Sequence, residues 1–324
     1  MVSFLSEVMI GASGYTFPVF YKPMAEALRL SRTAVAIAPT LRTFVNAFVS
    51  PVVGRLVDRR GPRAIMVFGA ILMGITQMAM ANIGELWHYL LVYGVMGSVA
   101  QASEGTLVTS ATISKWFVRK RGRATALVSV GVSVSGVIFT PIGTYLVLAY
   151  GWRAGWMMLG IMTLAVLVVT AGLLMRRHPE DMGLLPDGEE PAPATNPSVV
   201  AAHTSEPIKP RADQEVSWTL QQAIRSPSFW LIIVAFNLGG MAISSVLLHQ
   251  INYMTDKGFS PATAALVVTV YAATAIVAKL IYGFISERVH IRYLVIVCFM
   301  GGSIGIAILS LATTREALLA YALV

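Results

Sequence analysis

Apolar residues arrive in this chain in runs of roughly twenty, parted by short polar breaks, and that spacing constrains the fold more than any other feature. Twenty residues of helix cover about 30 Å, the thickness of a bilayer's hydrocarbon layer. Barrel strands would instead alternate in character over about ten residues, so the run length selects helices. Composition agrees. Hydrophobic residues make up 56% of the 324 and charged residues 12%, which is about half the charged share of an ordinary soluble domain. The expected spans are 7–28, 33–56, 63–82, 86–113, 122–148, 153–175, 228–254, 262–285 and 292–312. A tenth opens near Glu316, with nine residues through Val324 covering about half a bilayer. The expected product is an all-α membrane protein with about nine and a half spans. The expectation extends to a longer protein, cut at its carboxyl end and short of about two and a half spans, with the amino end open to trimming as well.

The net charge of +8 would suit nucleic acid if it were spread evenly. It is not. With the amino terminus assigned to the inside, inner loops hold sixteen Lys and Arg residues and outer loops and span ends hold six. That bias is the cytoplasmic one of an inner (plasma) membrane protein, and it excludes a nucleic-acid partner as the reason for the charge. Cys298, the only cysteine, rules out an intrachain disulfide and is expected to be a buried thiol. No phosphate-cradling loop, zinc spacing or nucleophile triad is present, so neither an enzyme nor a cofactor is expected. No cleavable signal peptide is evident either, and the first apolar stretch reads as a retained span.

One loop signature occurs twice. The first copy runs Gly54-Arg55-Leu56-Val57-Asp58-Arg59-Arg60-Gly61-Pro62-Arg63, the second Gly283-Phe284-Ile285-Ser286-Glu287-Arg288-Val289-His290-Ile291-Arg292. A repeated glycine–acid–arginine hairpin between spans marks a carrier built from two similar halves. Between the halves, residues 177–227 hold eight of the sixteen acidic residues and eight of the fifteen prolines, which is the composition of a cytoplasmic linker. Its last part, Trp218 to Arg225, has the pattern of a short amphipathic surface helix. The division is therefore 1–176 for a six-span bundle, 177–227 for the linker and 228–324 for an incomplete second bundle.

Ionisable groups inside hydrocarbon cost about 2.5–3.5 kcal/mol on insertion scales, so those that persist face a protein interior or a watery cavity. Four draw notice: Arg42, Glu104, His249 and Lys279. Lys279 shares a helical face with Ala275 and Tyr271 and reads as an anion-binding cation or as a lysine snorkelling to the headgroups. His249 suits hydrogen bonding to a carboxylate or proton relay, or packing at the outer interface. Arg42 reads as a substrate ligand or as a clamp on Glu104. Glu104, His249 and Lys279 are the candidates for proton coupling. Tyr21 and Tyr271 are candidates for the cavity wall. The small residues Ser129, Gly131, Ser133, Ser135 and Gly136 read as packing.

Finer segments narrow the kinship. Phe17-Pro18 lies in the first span, Lys115-Trp116-Phe117 leads into Arg121-Gly122-Arg123 after the fourth, Gly151-Trp152-Arg153 precedes the sixth, and Arg177-His178-Pro179-Glu180 follows it. Together these resemble the major facilitator superfamily, within it the monocarboxylate transporters and the oxalate/formate antiporter group. The resemblance implies a six-plus-six fold that carries a small organic anion, often with a proton, by alternating access, with membrane lipid as its surroundings and a monomer as the expected unit. It places the anion-binding cation of span 8 on Lys279. The aspartate one turn earlier is replaced by Ala275, and the lysine found after Phe-Pro in the mammalian branch is replaced by Val19. It also implies a cytoplasmic gate at Gly54, Asp58, Arg59, Gly61 and Arg63, with a looser second copy at Gly283, Glu287 and Arg288. Two rival readings remain at this stage: an exporter of drugs or other amphipaths, and a non-transporting membrane sensor.

Overall fold

A computed structural model describes residues 1–117, 121–176, 187, 220–285 and 288–324. The described chain is helical, and no strand occurs among the described residues. The helices are α1 (Val2–Ala27), α2 (Arg32–Arg60), α3 (Pro62–Met80), α4 (Leu86–Tyr89), α5 (Gly97–Glu104), α6 (Thr106–Trp116), α7 (Arg121–Thr163), α8 (Val169–Leu174), α9 (Leu220–Arg225), α10 (Pro227–Asp256), α11 (Pro261–Ile285), α12 (Ile291–Leu311) and α13 (Arg315–Leu323). Short π-helical stretches, Leu90–Met96 and Leu164–Val168, join α4 to α5 and α7 to α8.

Among the described residues, six helical stretches are long and apolar enough to cross a membrane: Thr33–Arg60, Pro62–Met80, Arg121–Leu174, Pro227–Asp256, Pro261–Ile285 and Arg292–Leu311. The third, 54 residues long, covers two of the expected spans. Gly151 divides it at φ +81°, a left-handed conformation that residues with a Cβ adopt at a cost. Trp152 is buried just beyond, Arg153 stacks on its ring at 4.2 Å, and Arg153 Nη2 donates to the Ile83 carbonyl at 3.4 Å. The Gly-Trp-Arg segment is thus a pinned reversal between the fifth and sixth spans.

The first loop signature is mostly helix rather than loop. Residues 54–60 complete α2, and Gly61 alone, at φ +82°, turns the chain into α3. Pro62 then takes the first helical position, where its missing N–H leaves no helical bond unmade. The expected fourth span is not one rod. A π-helical stretch interrupts it, and Gly105, in extended backbone, separates α5 from α6. A Cβ at Gly105 would press on the Gln101 carbonyl at 2.5 Å.

Two apolar clusters hold the first six spans. One, near the Gly61 turn, gathers Val2, Val53, Val57, Ile65, Met66, Val108 and Ala171. The other, towards the opposite end, gathers Phe17, Phe20, Met24, Val35, Met80, Tyr89, Trp152 and Trp156. A third cluster joins α10, α11, α12 and α13 through Met254, Val267, Val268, Leu309 and Tyr321. The helix at Arg315–Leu323 forms where a tenth span was expected, with the Thr314 side chain accepting from the Ala317 amide at 3.3 Å. Large apolar side chains such as Phe44, Phe48, Leu148, Leu231 and Met300 cover the outside, which suits a surface facing acyl chains. Cys298 is among the exposed residues, not buried as expected, because it faces outward on α12.

Residues 177–186 and 188–219, most of the expected linker, lie outside the described residues, as do Trp218 and Glu287. The tail of the expected amphipathic helix is present as α9, and Trp230 Nε1 donates to the Ile224 carbonyl at 2.8 Å.

Candidate functional site

Small residues on α7 decide what meets in the middle of the molecule. At Gly131 an added Cβ would stand 2.7 Å from the Phe4 carbonyl and 3.2 Å from Glu7 Cβ. At Gly136 it would stand 2.6 Å from Ala272 Cβ and 2.9 Å from the Tyr15 ring. These glycines therefore let α1 and α11 close on the same helix, one from each half of the sequence. At the Gly61 end, Gly283 lies against Ala126, and the Arg123 guanidinium sits 5.7 Å from the Phe284 ring centre. Gly283, expected as part of a gate, thus also serves this close contact between the fifth and eighth spans.

Lys279 projects across that interface. Its Nζ donates to the Ser129 carbonyl at 2.9 Å and to Ser133 Oγ at 2.8 Å. The side chain is half-buried and turned towards the fifth span rather than towards headgroups. An ammonium has three N–H donors, and two are engaged here. On the same helical face, Tyr271 stacks on Tyr321 with ring centres 6.2 Å apart, and the Tyr321 hydroxyl donates to Gln250 Oε1 at 2.8 Å.

A carboxylate that the sequence reading did not single out completes this layer. Glu7 of α1 is 3% exposed. Its Oε1 accepts from Thr109 Oγ1 at 2.9 Å and its Oε2 from Thr106 Oγ1 at 3.5 Å. Glu7 and Lys279 lie within electrostatic reach of each other. The signal was present in the sequence as a lone acid seven residues from the start. It falls on the first residue of the expected span 7–28 and was not among the ionisable groups singled out.

Arg42 and Glu104 do not form the expected clamp. Arg42 Nε donates instead to Gln101 Oε1 at 2.9 Å, and its guanidinium lies 4.8 Å from the Tyr93 ring centre. Gln101 sits nearly one turn before Glu104 on α5, so an amide takes the hydrogen bond a carboxylate was expected to take. Glu104 is 1% exposed, and neither of its carboxyl oxygens has a hydrogen-bond partner. Ser6 Oγ donates to its main-chain carbonyl at 2.8 Å and so binds α1 to α5.

His249 is exposed on α10, and its ring meets the buried Tyr21 edge-on at 6.0 Å. At that end, Lys22 Nζ and Asp256 Oδ1 form an ion pair at 3.5 Å between α1 and α10. A cavity of about 260 Å³ opens beside it, lined by Tyr21, Lys22, Ala25, Glu26, Arg29, Leu30 and Asn252. Lys279 is remote from this vestibule, nearer the Gly61 end. Asp58 and Arg59 lie on the exposed last turn of α2, Arg63 on the exposed first turn of α3, and Arg288 in the exposed turn after α11. No group of three or more potential metal ligands occurs among the described residues.

Two sets of helices, one from each half of the sequence, thus meet along the fifth and eighth spans. The Major Facilitator Superfamily model matches residues 3–324. The chain belongs to that superfamily. It is 32% identical over 203 residues to the fujikurins efflux protein of Gibberella fujikuroi, covering 60% of this chain and 42% of that one. It is 24% identical over 286 residues to the oxalate:formate antiporter of Oxalobacter formigenes, covering 87% and 61%. This chain thus spans about three-fifths or less of the length of these superfamily relatives. A solved bacterial homologue of the human lysosomal transporter Spinster aligns at a TM-score of 0.64 and 15% identity, covering 99% of this chain and 72% of that one, and supports the same fold.

Proposed function

We propose that this superfamily member is a secondary transporter of small organic anions, monocarboxylates or related carboxylates, working by alternating access. The observation that carries the reading is the position of Lys279. A half-buried ammonium at the seam of two helix sets, held by one carbonyl and one hydroxyl, has attraction left over for a carboxylate. Kinship to an oxalate:formate antiporter supports the same class of cargo. Under this reading the Gly61 end is cytoplasmic, residues 1–176 and 228–324 are the rocking halves, and 177–227 is the cytoplasmic linker of a plasma-membrane protein. His249, Tyr21, Tyr271 and Arg42 stand along the route the cargo takes. The Asp58–Arg59–Arg63 turn and its second copy at Gly283, Glu287 and Arg288 gate the cytoplasmic side. Uptake of labelled lactate, formate and oxalate into proteoliposomes holding the intact protein tests this, and the account expects uptake that Lys279→Gln abolishes without loss of membrane insertion.

A second reading is favoured by the efflux relative, which is the more identical of the two compared. An exporter of larger amphipaths would use the aromatic surfaces of Tyr21, Tyr93 and Tyr271 and would show no uptake of the three small anions.

A further inference from the structure

Four ionisable side chains run through the described bundle in one sequence: Lys279 on α11, Glu7 on α1, Glu104 on α5 and Arg42 on α2. Lys279 acts electrostatically on Glu7, and Glu7 and Arg42 act on Glu104. Cations therefore sit at the ends and carboxyl groups in the middle. Among the described residues the Glu7 carboxyl accepts from the hydroxyls of Thr106 and Thr109, and Gly131 lies against its Cβ.

We infer that Glu7 is a proton-binding site whose occupancy is tied to the anion bound at Lys279; the inference rests on the transport reading above. Three features support it. First, the hydroxyls beside Glu7 serve both of its forms. A hydroxyl donates to the carboxylate, and when Glu7 is a carboxylic acid the same oxygen accepts from it and turns its own hydrogen elsewhere. Thr109 Oγ1 already has the Thr106 carbonyl at 3.2 Å as that second partner. Second, Glu104 stands behind Glu7, fully buried, with both oxygens unpartnered. Such a group is costly to ionise, and a second negative charge beside it costs more. Third, among the described residues the cation that acts on Glu7 is Lys279, which is also the group an anion would neutralise.

The coupling follows. In the empty carrier the ammonium balances the Glu7 carboxylate. An anion that pairs with Lys279 removes that balance, and Glu7 takes up a proton to become the neutral acid. Release of the anion restores the lysine charge, and Glu7 gives the proton back. No bond besides O–H forms or breaks.

Lactate is the probe. Proteoliposomes of the intact protein are assayed for lactate–lactate exchange, which needs no net proton, and for accumulation driven by a pH gradient. Glu7→Gln should collapse the ratio of accumulation to exchange, while Glu7→Asp should recover part of it. In detergent, the wild type should take up a proton on binding lactate and Glu7→Gln should bind lactate without taking one up. A Glu7→Gln protein with an unaltered ratio overturns the proposal, as does one that loses exchange and accumulation together. Should Glu7→Gln not be recovered from membranes, Thr109→Val should shift the pH midpoint of accumulation, and an unmoved midpoint overturns the proposal. Absence of lactate exchange in the wild type would instead remove the lactate-transport reading itself, a distinguishable failure.

Discussion

Lys279 Nζ lies 2.8 Å from Ser133 Oγ, so a cation encoded in the eighth span is held by a hydroxyl of the fifth. The contact crosses from one half of the sequence to the other, at the seam along which a rocking carrier would move. The lysine is therefore a contact of the fold and, under the proposed function, the partner of the cargo.

Arg42 depends on Gln101. Replacing Gln101 with leucine keeps the volume roughly constant but leaves Arg42 Nε without its acceptor. A half-buried donor stripped of its partner costs about 1–3 kcal/mol. The thermal midpoint of the detergent-solubilised protein should fall accordingly, whereas Glu104→Gln should disturb Arg42 much less, since those two side chains share no hydrogen bond.

The Lys22–Asp256 pair is exposed and joins the first and seventh spans at 3.5 Å. Solvent screening limits it to less than about 1 kcal/mol of stability. A charge-reversal cycle, Lys22→Asp with Asp256→Lys, should return most of the lost uptake rate while barely moving the thermal midpoint. Equal loss in the single and double reversals would contradict an ion pair that matters to turnover.

How much of this was legible beforehand differs from residue to residue. Run length located seven of the nine expected spans as long apolar helix, because hydrocarbon thickness sets helix length, whereas 86–113 is broken and 7–28 is a helix outside that set. Gly61 and Gly151 were visible as turn points, and both have positive φ. The break at Gly105 was hidden, because the apolar run continues through it and only the tertiary setting stops the helix there. Lys279 was evident as a charge in an apolar segment. Its partners Ser129 and Ser133 were read as packing, since no pattern says which hydroxyl of a helix faces a distant lysine. The Arg42–Glu104 pairing failed for a related reason: charge complementarity selects carboxylates, but the spacing on α5 puts Gln101 within reach of Arg42 Nε. Cys298 was misjudged because apolar neighbours do not separate a core face from a lipid face.

Gly151→Ala tests the reversal between the fifth and sixth spans. At φ +81° an alanine should cost roughly 1–2 kcal/mol, and Trp152 should become more accessible to a soluble quencher. A thermal midpoint equal to wild type would show that the turn relaxes freely.

Asp58 occupies the last turn of α2, next to the Gly61 reversal. As a gate residue it should act on the rate of interconversion rather than on affinity. Asp58→Asn is expected to lower kcat for exchange while leaving the anion Kd close to wild type. Matching falls in both, or an unchanged kcat, would argue for a topological role only.

The most direct test of the central claim exchanges the charge at position 279 chemically. In a Cys298→Ala background, Lys279→Cys should abolish lactate uptake, and treatment with an aminoethyl thiosulfonate, which rebuilds an ammonium at nearly the original length, should restore it. A neutral thiosulfonate of similar size should not. Uptake that survives in the unmodified cysteine variant, or that returns equally with the neutral reagent, would contradict an anion held by the Lys279 charge.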